Sequence, residues 1–162
     1  MLRKRAFDAL RTDVLAVDAA EPLETVADKL ARHLEKSPDL DAAVVMRAGR
    51  FVGIVSLRTL LSDLNDCALD ASLRESLGDD DFEATYRLAC RRCMGRKAAE
   101  AARRDIPKVA PSDSLHLVLD AMIKADSRFA VVLEGERLLG LVPLGEIFRE
   151  MRRECAPLAP RP

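Results

Sequence analysis

The chain has 162 residues, of which 49% are apolar and only 4% aromatic, with no Trp, so it suits one or two small domains with an aliphatic core. Its 26 Lys and Arg against 27 Asp and Glu leave a net charge of −1, which gives no general attraction to nucleic acid or to an anionic membrane. No apolar run reaches the roughly 20 residues of a spanning helix, the charged start Met1-Leu2-Arg3-Lys4-Arg5 does not read as a signal peptide, and four cysteines are too few for a disulfide scaffold, which points to a reducing cytoplasm.

The first predicted strand is Val14–Val17. Pro22 is expected as a first helical residue, and Leu23, Val26, Ala27, Leu30, Ala31 and Leu34 recur at helical spacing to form one apolar face. Two β-rich runs, Ala42–Met46 and Phe51–Val55, flank Arg47-Ala48-Gly49-Arg50, a hairpin signal. A second amphipathic helix carries Leu57, Leu60, Leu61 and Leu64. Asn65–Arg96 lacks Pro and reads as a helical connector. Gly78 suits the residue past a helix end, and Asp79-Asp80-Asp81 the acidic start of another. Phe82, Thr85, Tyr86, Ala89, Cys90, Cys93 and Met94 then fall on one stripe. The pattern starts again with strand Ile106–Val109 and Asp113 as N-cap. Leu115, Val118, Leu119, Met122 and Ile123 mark the next helix, Phe129–Leu133 and Leu138–Val142 a second hairpin, and Leu144, Ile147, Phe148 and Met151 the closing helix. The tail after Glu154 is expected to fray.

The chain therefore contains itself twice. Arg11–Val17 matches Arg103–Val109 at a shift of 92, as do Leu23/Leu115, Val26/Val118 and Asp28/Asp120. Ala43-Val44-Val45 matches Ala130-Val131-Val132 at a shift of 87, together with Arg50/Arg137, Gly53/Gly140, Val55/Val142 and Leu57/Leu144. The change of shift gives the first copy five extra residues around Glu35–Asp41, where a surface loop is expected. Neither β-α-β-β-α copy would bury enough surface alone. The expected fold is α/β (α+β), with the two repeats packed in pseudo-two-fold symmetry: first repeat 1–64, helical connector 65–96, second repeat 97–153, disordered tail 154–162.

A Gly-aliphatic-aliphatic-small-x-x-polar stretch closes the third strand of each copy, as Gly53-Ile54-Val55-Ser56-Leu57-Arg58-Thr59 and Gly140-Leu141-Val142-Pro143-Leu144-Gly145-Glu146. With the lead-ins Thr12–Val17 and Arg104–Val109 and the turn Ala110-Pro111-Ser112-Asp113-Ser114-Leu115, the chain resembles a tandem pair of cystathionine-β-synthase (CBS) domains, or Bateman module, over about Arg3–Leu64 and Arg96–Arg153. The resemblance implies a non-enzymatic regulatory module that forms a homodimer and signals to an effector protein in trans. It implies two clefts between the sheets for an adenosine-containing ligand (AMP, ADP, ATP or S-adenosylmethionine), with no cofactor required.

In binding copies of the family, a hydroxyl three residues after the Gly and an Asp six after it grip the ribose, since one carboxylate accepts both bonds of a vicinal diol. The opening strand encloses the base, and basic residues meet phosphates. Carried onto this sequence, one cleft draws on Glu146 with Ile106, Pro107, Lys108 and Arg128, and the other on Ser56 with Val14, Leu15, Arg58 and Thr59. Both copies depart from the pattern. Thr59 stands where the Asp belongs, Pro143 replaces the hydroxyl, and Glu146 replaces the Asp. A lost contact of this kind is worth about 1.5–3 kcal/mol, so one dominant site per chain is expected, at Glu146. The alternative reading is a dimeric scaffold whose clefts have lost ligand binding.

The same residues also have plainer uses. Ser56 suits a helix N-cap and Glu146 a first-turn acid. Cys90-Arg91-Arg92-Cys93 is a lone CxxC, with His33 and His116 isolated, so it reads as buried structural cysteine and not as a metal site. The basic clusters Arg3-Lys4-Arg5, Arg91-Arg92 and Arg103-Arg104 are offset by acidic neighbours and lack stacking aromatics, which speaks against a nucleic-acid partner. No Ser-His-Asp, Cys-His or phosphate-loop pattern is present.

Overall fold

In the computed structural model, which describes residues 3–68 and 79–156, each repeat forms one three-stranded sheet with its own helices. The expected features at Gly78 and in the tail beyond Ala156 lie outside the described residues, as do the side chains of Asp79, Asp80, Asp81, Phe82 and Thr85. The first repeat runs β1 (Leu15–Asp18), α1 (Leu23–Lys36), β2 (Ala42–Arg47), β3 (Arg50–Ser56) and α2 (Leu57–Ala68). The connector holds α3 (Asp79–Met94) and the one-turn α4 (Ala98–Ala101). The second repeat runs β4 (Lys108–Val109), α5 (Leu115–Lys124), β5 (Phe129–Glu134), β6 (Arg137–Pro143) and α6 (Leu144–Cys155).

In both sheets the first strand is parallel to the second, which is antiparallel to the third. The middle strand is covered on both faces. Ala42, Ala43, Val44 and Val45 are buried without alternation, and so are Phe129, Ala130, Val131 and Val132, which explains why these runs read as continuous apolar stretches. Around the first sheet pack Leu23, Val26 and Leu60; around the second pack Leu115, Val118, Met122 and Ile147. The first hairpin turns on Ala48 and Gly49, with φ of 48° and 77°, the positive pair a two-residue turn of right-handed twist needs.

Contact grouping does not follow sequence order. One compact unit is Leu15–Arg104, and the other joins the residues before Leu15 to those after Arg104. Each lead-in thus serves the sheet of the other repeat. Arg103 exchanges two backbone hydrogen bonds with Ile54 of β3, both at 2.9 Å, and Arg11 does the same with Leu141 of β6, at 2.8 and 3.0 Å. Further bonds repeat at the shift of 92. Leu23 donates to the Arg96 carbonyl and Leu115 to that of Lys4, while Ala98 donates to Glu21 and Ala6 to Asp113. The lead-ins close sheet edges that would otherwise expose unpaired backbone. They approach so closely that a Cβ on Gly53 would lie 2.5 Å from the Arg103 carbonyl oxygen, and one on Gly140 closer still to that of Arg11. This is the physical reason for glycine at both positions.

Several expectations need correction. The opening strands begin later than predicted, at Leu15 and Lys108, because pairing with β2 and β5 starts only there. Pro22 is the N-cap of α1 and not its first residue. Ser114, not Asp113, caps α5; the Asp113 carboxylate instead accepts the Ala110 N–H at 2.7 Å, closing the turn before the helix. The five extra residues of the first copy are not a loop insertion. Four of them lengthen α1, which has 14 residues against ten in α5, and His33 and Lys36 in that added turn suit the helix C-terminus. Cys93 is buried, as expected, but in a disulfide with Cys67, while Cys90 is free and half-buried. Sequence spacing hid this pair because α2 and α3 meet only in the folded chain.

Candidate functional site

The two strand-to-helix corners singled out in the sequence are built alike. β3 passes into α2 at Ser56, where the Leu57 N–H donates to the Asp41 carbonyl at 2.8 Å. β6 passes into α6 at Pro143, where the Leu144 N–H donates to the Arg128 carbonyl, also at 2.8 Å. The side chains then diverge.

At the first corner the Ser56 hydroxyl accepts the Thr59 N–H at 3.1 Å and shares a hydrogen bond of 2.9 Å with the Thr59 hydroxyl. This is N-cap geometry, and it draws together two of the residues expected to face a ligand. Arg58 is exposed, and Val14 and Leu15 are half-buried, Leu15 pairing with Ala43.

At the second corner Pro143 offers no capping side chain. The Glu146 carboxylate, in the first turn of α6 and 21% exposed, pairs instead with Arg11 at 3.5 Å and with Arg149 one turn on. Arg11 is held from its other side by Asp13, whose two oxygens take Nε and Nη2 at 2.8 and 2.6 Å. Asp13, Arg11, Glu146 and Arg149 therefore alternate in charge at the mouth of the helix. Ile106 is buried, the Pro107 carbonyl accepts the Val131 N–H at 2.8 Å, and Lys108 is exposed where β4 begins. The Arg128 guanidinium turns to the Phe129 ring, 5.8 Å from its centre. Arg11, Asp13 and Arg149 were not among the sequence candidates. The only signal for Arg11 was its match to Arg103 at the shift of 92, which marked a lead-in and not a site.

Two depressions lie within this second unit. One, of about 460 Å³, is lined by Leu119, Arg128, Leu144, Gly145, Ile147, Phe148 and Met151. The other, of about 550 Å³, is lined by Phe7, Leu10, Thr12, Glu134, Arg137, Leu138 and Leu139. In the first unit the titration of Glu21 is shifted. A hydrogen bond from Lys29 at 2.7 Å, then one from the Asp18 N–H, hold its carboxyl below the ordinary value of 4.5. Among the described residues no His, Cys, Asp and Glu group could hold a metal ion, and no helix is long and apolar enough to cross a membrane.

The CBS domain profile matches the chain twice, over residues 6–66 and 98–153. Comparison with curated proteins finds none that matches. Among solved structures the chain is similar to a CBS domain-containing protein of Bacillus anthracis, at 19% identity over 94% of this chain and 96% of that one, with a TM-score of 0.64. It is similar to hypoxic response protein I with two coordinated zinc ions, at 22% identity over 91% and 98%, with a TM-score of 0.62. It is also similar to the cytosolic domain of the Mg2+ channel MgtE in complex with ATP, at 19% identity and a TM-score of 0.64. That match covers 90% of this chain, which spans about half the length of the MgtE domain, 48%. At these identities the likeness is one of fold.

Proposed function

The chain belongs to the CBS domain family, and from that premise we propose that it is a non-enzymatic regulatory module that senses an adenosine-containing ligand and signals to a separate partner protein. The observation that supports this reading is the Glu146 corner. A part-exposed carboxylate there can accept both hydroxyls of a ribose, and the Arg11 guanidinium beside it can turn to a phosphate. Ile106 and Pro107 lead into β4, which Lys108 opens, and the base would lie there. The equivalent corner is a poorer site, because the Ser56 hydroxyl is engaged by Thr59, which stands where the second corner has Glu146. One ligand per chain follows. AMP, ADP, ATP and S-adenosylmethionine are the candidates, and the MgtE domain supplies a relative in complex with ATP.

The test is calorimetric titration of the wild type and Glu146→Ala with AMP and ATP. Removing one charge-assisted contact is expected to weaken binding by about one to two decades. Affinity unchanged in Glu146→Ala overturns the assignment.

A second reading, a dimeric scaffold without a ligand, draws on the closing helices. Leu57 and Leu61 on α2 are 37% and 55% exposed, and their repeat equivalents Leu144 and Phe148 on α6 are 39% and 61%. Apolar side chains repeated on both helices suit self-association, and a homodimer is common to both readings. Sedimentation of the wild type at tens of micromolar is expected to give the dimer mass, and Phe148→Glu the monomer mass. A wild-type monomer overturns the dimer, and nucleotide-free behaviour in the titration favours the scaffold.

A further inference from the structure

The connector is tied to the first repeat at one covalent point. Cys67, in the last turn of α2, is bonded to Cys93, in the last turn of α3, with Cα atoms 6.2 Å apart. The two ends of the bond differ in access. Cys93 is 4% exposed and shares a packed groove with Leu23, Leu60, Leu64 and Met94, whereas Cys67 is half-buried. Just beyond Cys93 the chain begins to dock. Arg96 pairs with Asp63 of α2 at 3.0 Å and accepts the Leu23 N–H at 2.8 Å, Ala98 and Ala99 donate to Glu21 and Ala19, and Arg103 closes the edge of β3. The bond therefore sits immediately upstream of every hydrogen bond by which Arg96–Arg104 holds the first sheet.

We propose that Cys67 and Cys93 form a reducible latch that fastens α3 to α2 and sets how firmly Arg96–Arg104 grips β3. Closing it takes a low-molecular-weight disulfide such as oxidised glutathione. The accessible Cys67 thiolate attacks one sulfur and expels the first small thiolate. The Cys93 thiolate then attacks Cys67 in the mixed disulfide and expels the second. Two protein thiols give up two electrons and two protons, and one small disulfide becomes two thiols. Opening is the reverse. Cys90, one turn before Cys93 and hydrogen-bonded to Tyr86, remains a thiol in both states.

The experiment equilibrates the full chain with glutathione mixtures of varied ratio at pH 7, quenches with acid, alkylates in denaturant and maps the peptides by mass. In the oxidised mixtures two of the four thiols are expected to escape alkylation and Cys67 to be found linked to Cys93. Amide exchange at Ala98, Ala99 and Arg103 is expected to be at least tenfold faster in the reduced protein, with a melting temperature about 10 °C lower. Cys90→Ser should behave as the wild type, and Cys67→Ser as the reduced form at every ratio. If Cys67→Ser does not fold, reduced wild type supplies the same comparison. Four alkylated thiols at all ratios, Cys90 in the linked pair, or equal exchange in the two states each overturn the latch.

Discussion

Ser56 and Pro143 end the third strand of their repeats, and Thr59 and Glu146 stand three residues further on, yet the two corners have settled differently. In the first, hydroxyl meets hydroxyl and the helix start is satisfied within itself. In the second, proline removes the capping group, and the acid is met by an arginine 135 residues away in sequence. Two corners with one backbone plan have thus been given different work: one stabilises its helix, and the other keeps a carboxylate and a guanidinium in reach of solvent. Duplication preserved the frame, while the side chains at equivalent positions were free to part.

The comparison can be broken at its frame or at its side chains. The frame carries the largest effects. Gly140→Ala and Gly53→Ala would each force a lead-in off its sheet edge, at a cost of about 3 kcal/mol, with Gly140→Ala the worse because its approach is closer. Urea unfolding measures both, and a cost under about 1 kcal/mol in either would mean that the lead-ins do not grip as described. At the side chains, Ser56→Ala should cost about 1 kcal/mol through the lost cap. Glu146→Ala should cost about half that or less, since its pairs with Arg11 and Arg149 are partly exposed. Equal losses in thermal unfolding would erase the distinction between the corners.

The smallest expected effect tests Glu21, whose carbonyl receives Ala98 and whose carboxylate receives Lys29. Its depressed titration means that the folded state favours the charged form. The contribution is therefore present above the unfolded value of 4.5 and is lost as pH falls through the lower folded value. Lys29→Ala should cost about 0.3 kcal/mol or less at pH 7, and less again at pH 3. A cost that grows with acidity would show that the pair does not set the titration.

Much of this architecture was legible in the sequence, because shifts of 92 and 87 leave matching apolar faces, turns and glycines in two places. What could not be read was which copy each lead-in serves. Arg11 and Arg103 stand in the same local pattern, so spacing alone cannot decide between the near sheet and the far one. The added turn of α1 looked like a loop because Glu35–Asp41 is polar and holds a proline, although four of the five residues continue the helix. Glu146 was legible as a charge in the right place, but Arg11 was not, because its position follows from the edge of β6 and not from any neighbour in the chain. Cys67 likewise stood alone until α2 met α3.

The exchanged lead-ins have a consequence for synthesis. The first unit contains only residues from Leu15 to Arg104, so it can close while the rest of the chain is still being made. Arg11 leaves the ribosome well before Leu141, so its two backbone bonds to β6 wait until Leu141 follows it out. At roughly 5–20 residues per second that wait lasts about 6–25 seconds. The lead-in around Arg11 is thus made before the unit of Leu15–Arg104 and placed after it. Until it arrives, the outer edge of β6 is unguarded, and crowded translation of this chain is the moment at which neighbouring copies can pair strand to strand.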